Sequence, residues 1–84
     1  MGNYPLRYRE LLKLAMRFGV YEIPKRGKGS ERLWGREAGG RRLRTTVTCH
    51  NENDTVGVGL ISATRRRLHL DRAHGVSDKD FYGK

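Results

Sequence analysis

Two adjacent glycines, Gly39-Gly40, separate Arg32-Leu33-Trp34 from the run Leu43 to Cys49, and no other feature constrains the fold as tightly. Paired glycines supply the positive φ values of a tight hairpin, so the flanking segments are read as antiparallel neighbours. In the later segment Leu43, Thr45, Val47 and Cys49 share one side, and Arg42, Arg44, Thr46 and Thr48 share the other. A strand with that alternation buries one face against a core and turns the other to water or a ligand. The sheet therefore needs helical cover on one face only. Tyr8, Leu11, Leu12, Ala15 and Phe18 recur at helical spacing with Arg7, Arg9, Lys13 and Arg17 opposite, which predicts an amphipathic helix over about residues 5–18. Pro5 suits its first turn and Gly19 the left-handed residue that ends it.

Val20-Tyr21-Glu22-Ile23 is read as a short first strand stopped by Pro24, with the cationic loop Lys25-Arg26-Gly27-Lys28-Gly29-Ser30 after it. Asn51 to Gly59 is polar and glycine-bearing and is read as a loop. Leu60, Ala63, Arg67, Leu70 and Ala73 sketch a second helical stripe ending at Gly75. Arg67 on that stripe would lay its methylenes along the core and keep its head in water. Ser77 and Asp80 form a capping pattern that docks Phe81 or Tyr82. The expected fold is one α+β domain over residues 1–84: helix, three-stranded antiparallel sheet, helix, with a single layer of helices on one sheet face. With 84 residues, 36% of them apolar, the core is thin and wants Trp34 and Cys49 inside it. Cys49 is the only cysteine, which leaves no internal disulfide and no Cys-x-x-Cys metal site.

Eighteen Lys and Arg against nine Asp and Glu give a net charge of +9. Most of the cations are arginine, the side chain suited to bidentate phosphate contact and base stacking. A polyanionic partner is expected, RNA above a membrane surface. No apolar run approaches the roughly 18 residues of a membrane span, and the first residues carry no apolar leader, so the chain is read as cytoplasmic. Gly27-Lys28-Gly29-Ser30 lacks the spacing of a nucleotide-binding loop, although its glycines would let backbone N–H groups approach an RNA phosphate. The candidate RNA-contacting residues are Lys25, Arg26, Lys28, Ser30, Arg32, Arg44, Arg65 and Arg66. Tyr21 and Trp34 are the rings that could stack on bases, with burial favoured for Trp34. His69 and His74 are read as structural, and no cofactor or metal is called for.

Gly19-Val20 follows the first helix, Lys28-Gly29-Ser30-Glu31 forms a basic segment, Cys49-His50 follows the third strand, and Gly75-Val76-Ser77 is followed by Phe81. In these motifs, and over most of its length though less so across Asn51 to Arg72, the chain resembles the HicA family of small mRNA-interferase toxins, which have a double-stranded-RNA-binding-like fold. The resemblance implies an RNA-cleaving toxin that acts on mRNA and a partner resembling the acidic HicB antitoxin. The sequence departs from the family at Glu31, which stands where cleaving members rely on a histidine. Cleavage without that histidine needs a base for the 2′-hydroxyl, an acid for the leaving oxygen and cations for the phosphorane. A glutamate near pKa 4.3 serves as base but is a poor acid at neutral pH, so His50 is the candidate acid. Centring the hairpin near Gly39 sets Glu31 opposite Val47 and leaves His50 roughly 10 Å away along the strand. One phosphate between them would meet Lys28 and either Arg32 or Arg44. The alternatives stay open: Glu31 as a screened surface ion pair, His50 as a solvated loop residue, and the whole chain as a non-catalytic RNA-binding module or a ribosome-associated basic protein.

Overall fold

The computed structural model describes residues 4–24 and 31–83. Gly39 and Gly40 take φ values of +59° and +76°, the left-handed pair that closes a two-residue hairpin. This turn joins β3 (Glu31–Ala38) to β4 (Arg41–Thr48), paired from Ala38 opposite Arg41 to Glu31 opposite Thr48. The expected partner of Glu31, Val47, is off by one because the pivot lies between the two glycines rather than on Gly39. One step of register exchanges the faces of a strand, so Glu31 shares the open face with Thr48 and Arg32 takes the core face opposite Val47. The short β2 (Tyr21–Ile23) pairs antiparallel with β3 and completes a sheet of order β2-β3-β4.

Helices cover one face of this sheet, as expected. Trp34, Val47 and Cys49 are buried beneath α1 (Tyr8–Met16), α2 (Val58–Arg67) and the short α3 (Asp78–Tyr82). Tyr8, Leu11 and Ala15 form the inner stripe of α1. Ser77 caps α3 by accepting the Asp80 N–H at 3.0 Å, and both Phe81 and Tyr82 are buried. At the centre the Trp34 indole donates to the Tyr8 hydroxyl at 2.7 Å, and that hydroxyl donates to Glu22 at 2.7 Å. Arg32 completes the chain by donating to Glu22 at 3.3 Å.

The first helix begins later than expected. Leu6 and Arg7 form β1 and pair antiparallel with Val56 and Thr55 of β5, a two-residue strand inside the stretch read as a loop. The first N–H groups of α1 are satisfied by the Asp54 and Glu52 carbonyls, at 2.8 and 3.1 Å, which fixes the helix start to that loop. The second helix is shorter than its apolar pattern implied and is rotated by one position. Ile61, Thr64 and Leu68 point inward, Arg67 is exposed, and Arg65 is buried. The chain leaves α2 through His69, whose φ is +58°, makes a single 3-10 turn at Arg72–His74, and reverses at Gly75. No helix among the described residues is long and apolar enough to cross a membrane.

Candidate nucleic-acid interface

Arg36 fixes the polarity of the domain. It lies on the core face three residues before Gly39 of the hairpin turn and donates to the Phe18 carbonyl at 2.9 Å and the Leu68 carbonyl at 3.0 Å. The C-terminal ends of α1 and α2 are thereby held beneath the turn end of the sheet. Gathered at or toward this end are Arg41 and Arg44 on β4, Arg66 and Arg67 in the last turn of α2, and Arg72 just beyond it. All five are exposed, and none makes an ion pair among the described residues. The opposite end of the sheet carries Glu31, the Asn51–Asp54 turn and the β1-β5 pair, and there the carboxylates Glu10, Glu22, Glu52 and Asp54 stand beside the cations Arg7, Arg9 and Arg32.

The expected site residues divide between these ends. Glu31 is exposed on the open face at the start of β3, and His50 is exposed two residues past its partner Thr48, a step of about 7 Å along a strand. The corrected register leaves His50 two positions rather than three past the residue that pairs with Glu31. The His50 N–H donates to the Asp54 carboxylate at 3.1 Å, as does that of Asn51 at 3.0 Å, so Asp54 shapes the turn that carries the histidine. Cys49, next to it, is buried and donates its thiol to the Asn51 carbonyl at 3.2 Å. Burial pushes this thiol up, chiefly by desolvation, so it is no ready nucleophile.

Two of the expected phosphate contacts are turned inward. Arg32 is half-buried on the core face, tied to Glu22 and lying 5.5 Å from the centre of the Tyr8 ring. Arg65 is 4% exposed and donates to the Leu70 carbonyl at 2.9 Å, to Asp78 at 2.7 Å and to the Val76 carbonyl at 3.1 Å, with Phe81 beneath it at 4.7 Å. Its guanidinium holds the α2–α3 connection together and is spent on the fold. Arg44 and Arg66 stand exposed as expected, but Arg44 is four residues from Thr48, about 13 Å along β4. Lys25, Arg26, Lys28 and Ser30 lie outside the described residues.

Sequence reasoning did not single out Arg36, which is indistinguishable in the sequence from a surface arginine, nor the relation of Tyr21 to Gly35. The Tyr21 ring crosses from β2 onto Gly35 so closely that a Cβ there would lie 2.9 Å from Tyr21 Cε1 and Cζ. A glycine inside a strand is a signal of such close approach. His69 and His74 stack with ring centres 3.9 Å apart, and the His74 Nδ1 meets Asp71. That contact holds the Asp71 carboxyl below its ordinary range. The described residues contain no cluster of three or more potential metal ligands. What the arrangement offers chemically is a cationic turn end able to contact phosphates, an open sheet face with one aromatic ring, and at the far end an exposed carboxylate, Glu31, and an exposed imidazole, His50. Comparison of the chain with protein-family models, curated proteins and solved structures returns no match.

Proposed function

We propose that the chain is an RNA-binding protein of the HicA kind that cleaves or blocks mRNA and is neutralised by an acidic, HicB-like antitoxin protein. The observation that carries the reading is the group of exposed arginines, Arg41, Arg44, Arg66, Arg67 and Arg72, without carboxylate partners among the described residues. Uncompensated charge of this density destabilises a small domain and is relieved by a polyanion, whose bound counterions are released on contact. In the cleaving form of the proposal Glu31 takes the 2′-hydroxyl proton and His50 protonates the leaving oxygen, with a phosphate seated between them.

A second reading, a non-catalytic RNA-binding module, is favoured by one feature. The cationic group centres on the turn end, and Arg41 lies about 23 Å along β4 from Thr48 and the Glu31 end. The test is a gel assay of long single-stranded RNA with the purified protein in EDTA, beside Glu31→Ala and His50→Ala. Fragments that disappear with Glu31→Ala support the ribonuclease, and dependence on His50 assigns the acid. Intact RNA that is retarded in a native gel supports the binding module. RNA neither cut nor retarded refutes both.

A further inference from the structure

We infer that the open face of the β2-β3-β4 sheet is a seat for unpaired RNA bases, with Tyr21 as the stacking ring and Arg44 as its phosphate partner. This rests on the RNA-binding reading and specifies which form of RNA the protein takes. The register places Tyr21, Gly35 and Arg44 in one row across the three strands. Gly35 is buried although it has no side chain, because the Tyr21 ring covers it. A Cβ at Gly35 would collide with that ring at 2.9 Å and approach Ile23 Cδ1 at 3.0 Å. The ring is therefore laid across the sheet instead of standing off it. It remains 37% exposed, and among the described residues only Met16 is another large apolar side chain so open to solvent.

The neighbouring row is Ile23, Leu33 and Thr46, whose two apolar members are half-buried beside the ring. Two inter-strand gaps set the Arg44 backbone about 10 Å from that of Tyr21. Arg42, the next cation on this face, is paired with Glu37 at 3.6 Å, whereas Arg44 makes no ion pair among the described residues. A flat, positioned ring with apolar support and one uncommitted guanidinium across the row matches a base stacked on an aromatic with its phosphate held beside it. Bases inside a duplex already stack on each other and cannot use such a ring. The seat therefore selects single strands.

The test measures binding of a short single-stranded oligoadenylate, and of a duplex of equal length, by fluorescence anisotropy at one salt concentration. Near-UV circular dichroism of the buried Trp34 reports that each variant is folded. Tyr21→Leu, which keeps apolar cover over Gly35 but removes the π face, is expected to weaken single-strand binding by about 5- to 100-fold and to spare duplex binding. Tyr21→Phe retains affinity. Gly35→Ala keeps the tyrosine but displaces its ring, and it follows Tyr21→Leu. Single-strand affinity unchanged in Tyr21→Leu, or a parallel loss for duplex, overturns the seat while leaving RNA binding intact. A wild-type protein that binds neither probe overturns the RNA-binding reading and the seat with it.

Discussion

Arg65→Ala removes the side chain that joins α2 to α3, and its consequence can be worked from the contacts. The guanidinium makes three hydrogen bonds, two of them to main-chain carbonyls of the Leu70–Val76 connection, and lies over Phe81. Removing one partner of a fully buried ion pair costs about 3–5 kcal/mol. Here the Asp78 side chain is 45% exposed and would recover water, which lowers that part of the loss. The Leu70 and Val76 carbonyls lose a charged donor, and bonds of that kind contribute about 1.5–3 kcal/mol each. A net loss of about 3 kcal/mol is expected. A domain of 84 residues has a total stability of roughly 4–13 kcal/mol, so the variant sits near the edge of folding, with Tm lowered by about 12–24 °C. Urea unfolding followed by Trp34 emission measures this. Arg65→Lys does not restore stability, because one ammonium on a flexible stem cannot serve acceptors that diverge as these do. The adjacent exposed Arg66→Ala shifts stability by no more than about 0.5 kcal/mol. Equal midpoints for Arg65→Ala and wild type, or equal losses in the two alanine variants, would refute the reasoning.

Three further outcomes are expected. Tyr8→Phe leaves the fully buried Trp34 N–H without its acceptor and lowers stability by about 1–3 kcal/mol in the same urea experiment; no change would show that another acceptor replaces it. Asp71 has a lowered pKa in the fold, first because of its bond to His74, so its contribution is present above the ordinary carboxyl value and disappears as pH falls through the folded one. The stability gap between wild type and Asp71→Asn should therefore close in acid below about pH 4, and a gap independent of pH across that range would contradict the assignment. Arg44→Ala should reduce the slope of log affinity against log salt for single-stranded RNA by about 0.7, the share of one phosphate contact, and an unchanged slope removes Arg44 from the interface.

The parts of the fold that follow from side-chain period were legible in the sequence. The alternation from Arg42 to Cys49 and the glycine pair give the hairpin, and the stripe from Tyr8 to Ala15 gives the covering helix. Register was not legible to the residue, since a pivot on Gly39 and a pivot between Gly39 and Gly40 fit the glycines equally well, yet they place Glu31 on opposite faces. The β1-β5 pair was invisible because two-residue strands have no period to detect. The arginines were the least readable. In a triplet such as Arg65-Arg66-Arg67 the sequence holds no mark of which one is buried. That choice is made by the Leu70 carbonyl together with the Val76 carbonyl and Asp78, the last two reaching the site only after the chain has turned at Gly75. Arg32 was misplaced by the same one-residue register error, and Arg36 is used by two helix ends that no local pattern announces.

The β1-β5 pair also bears on the order in which the chain folds. Hairpin β3-β4 closes across two residues, and α1 forms from contacts within a single turn. The Leu6–Val56 pairing must instead bring together segments 50 positions apart, and the Tyr82 hydroxyl reaches the Tyr4 carbonyl across 78. Closing loops of that length is entropically unfavourable until other contacts have already drawn the ends together. The hairpin with α1 is expected to be structured in the folding transition state, while the strap formed by residues 4–7 docks afterwards and is the first to open in the native protein. Amide exchange would register this as an early loss of protection at Leu6 and Val56, at denaturant concentrations where the hydrogen bonds of Trp34 and Thr45 still hold.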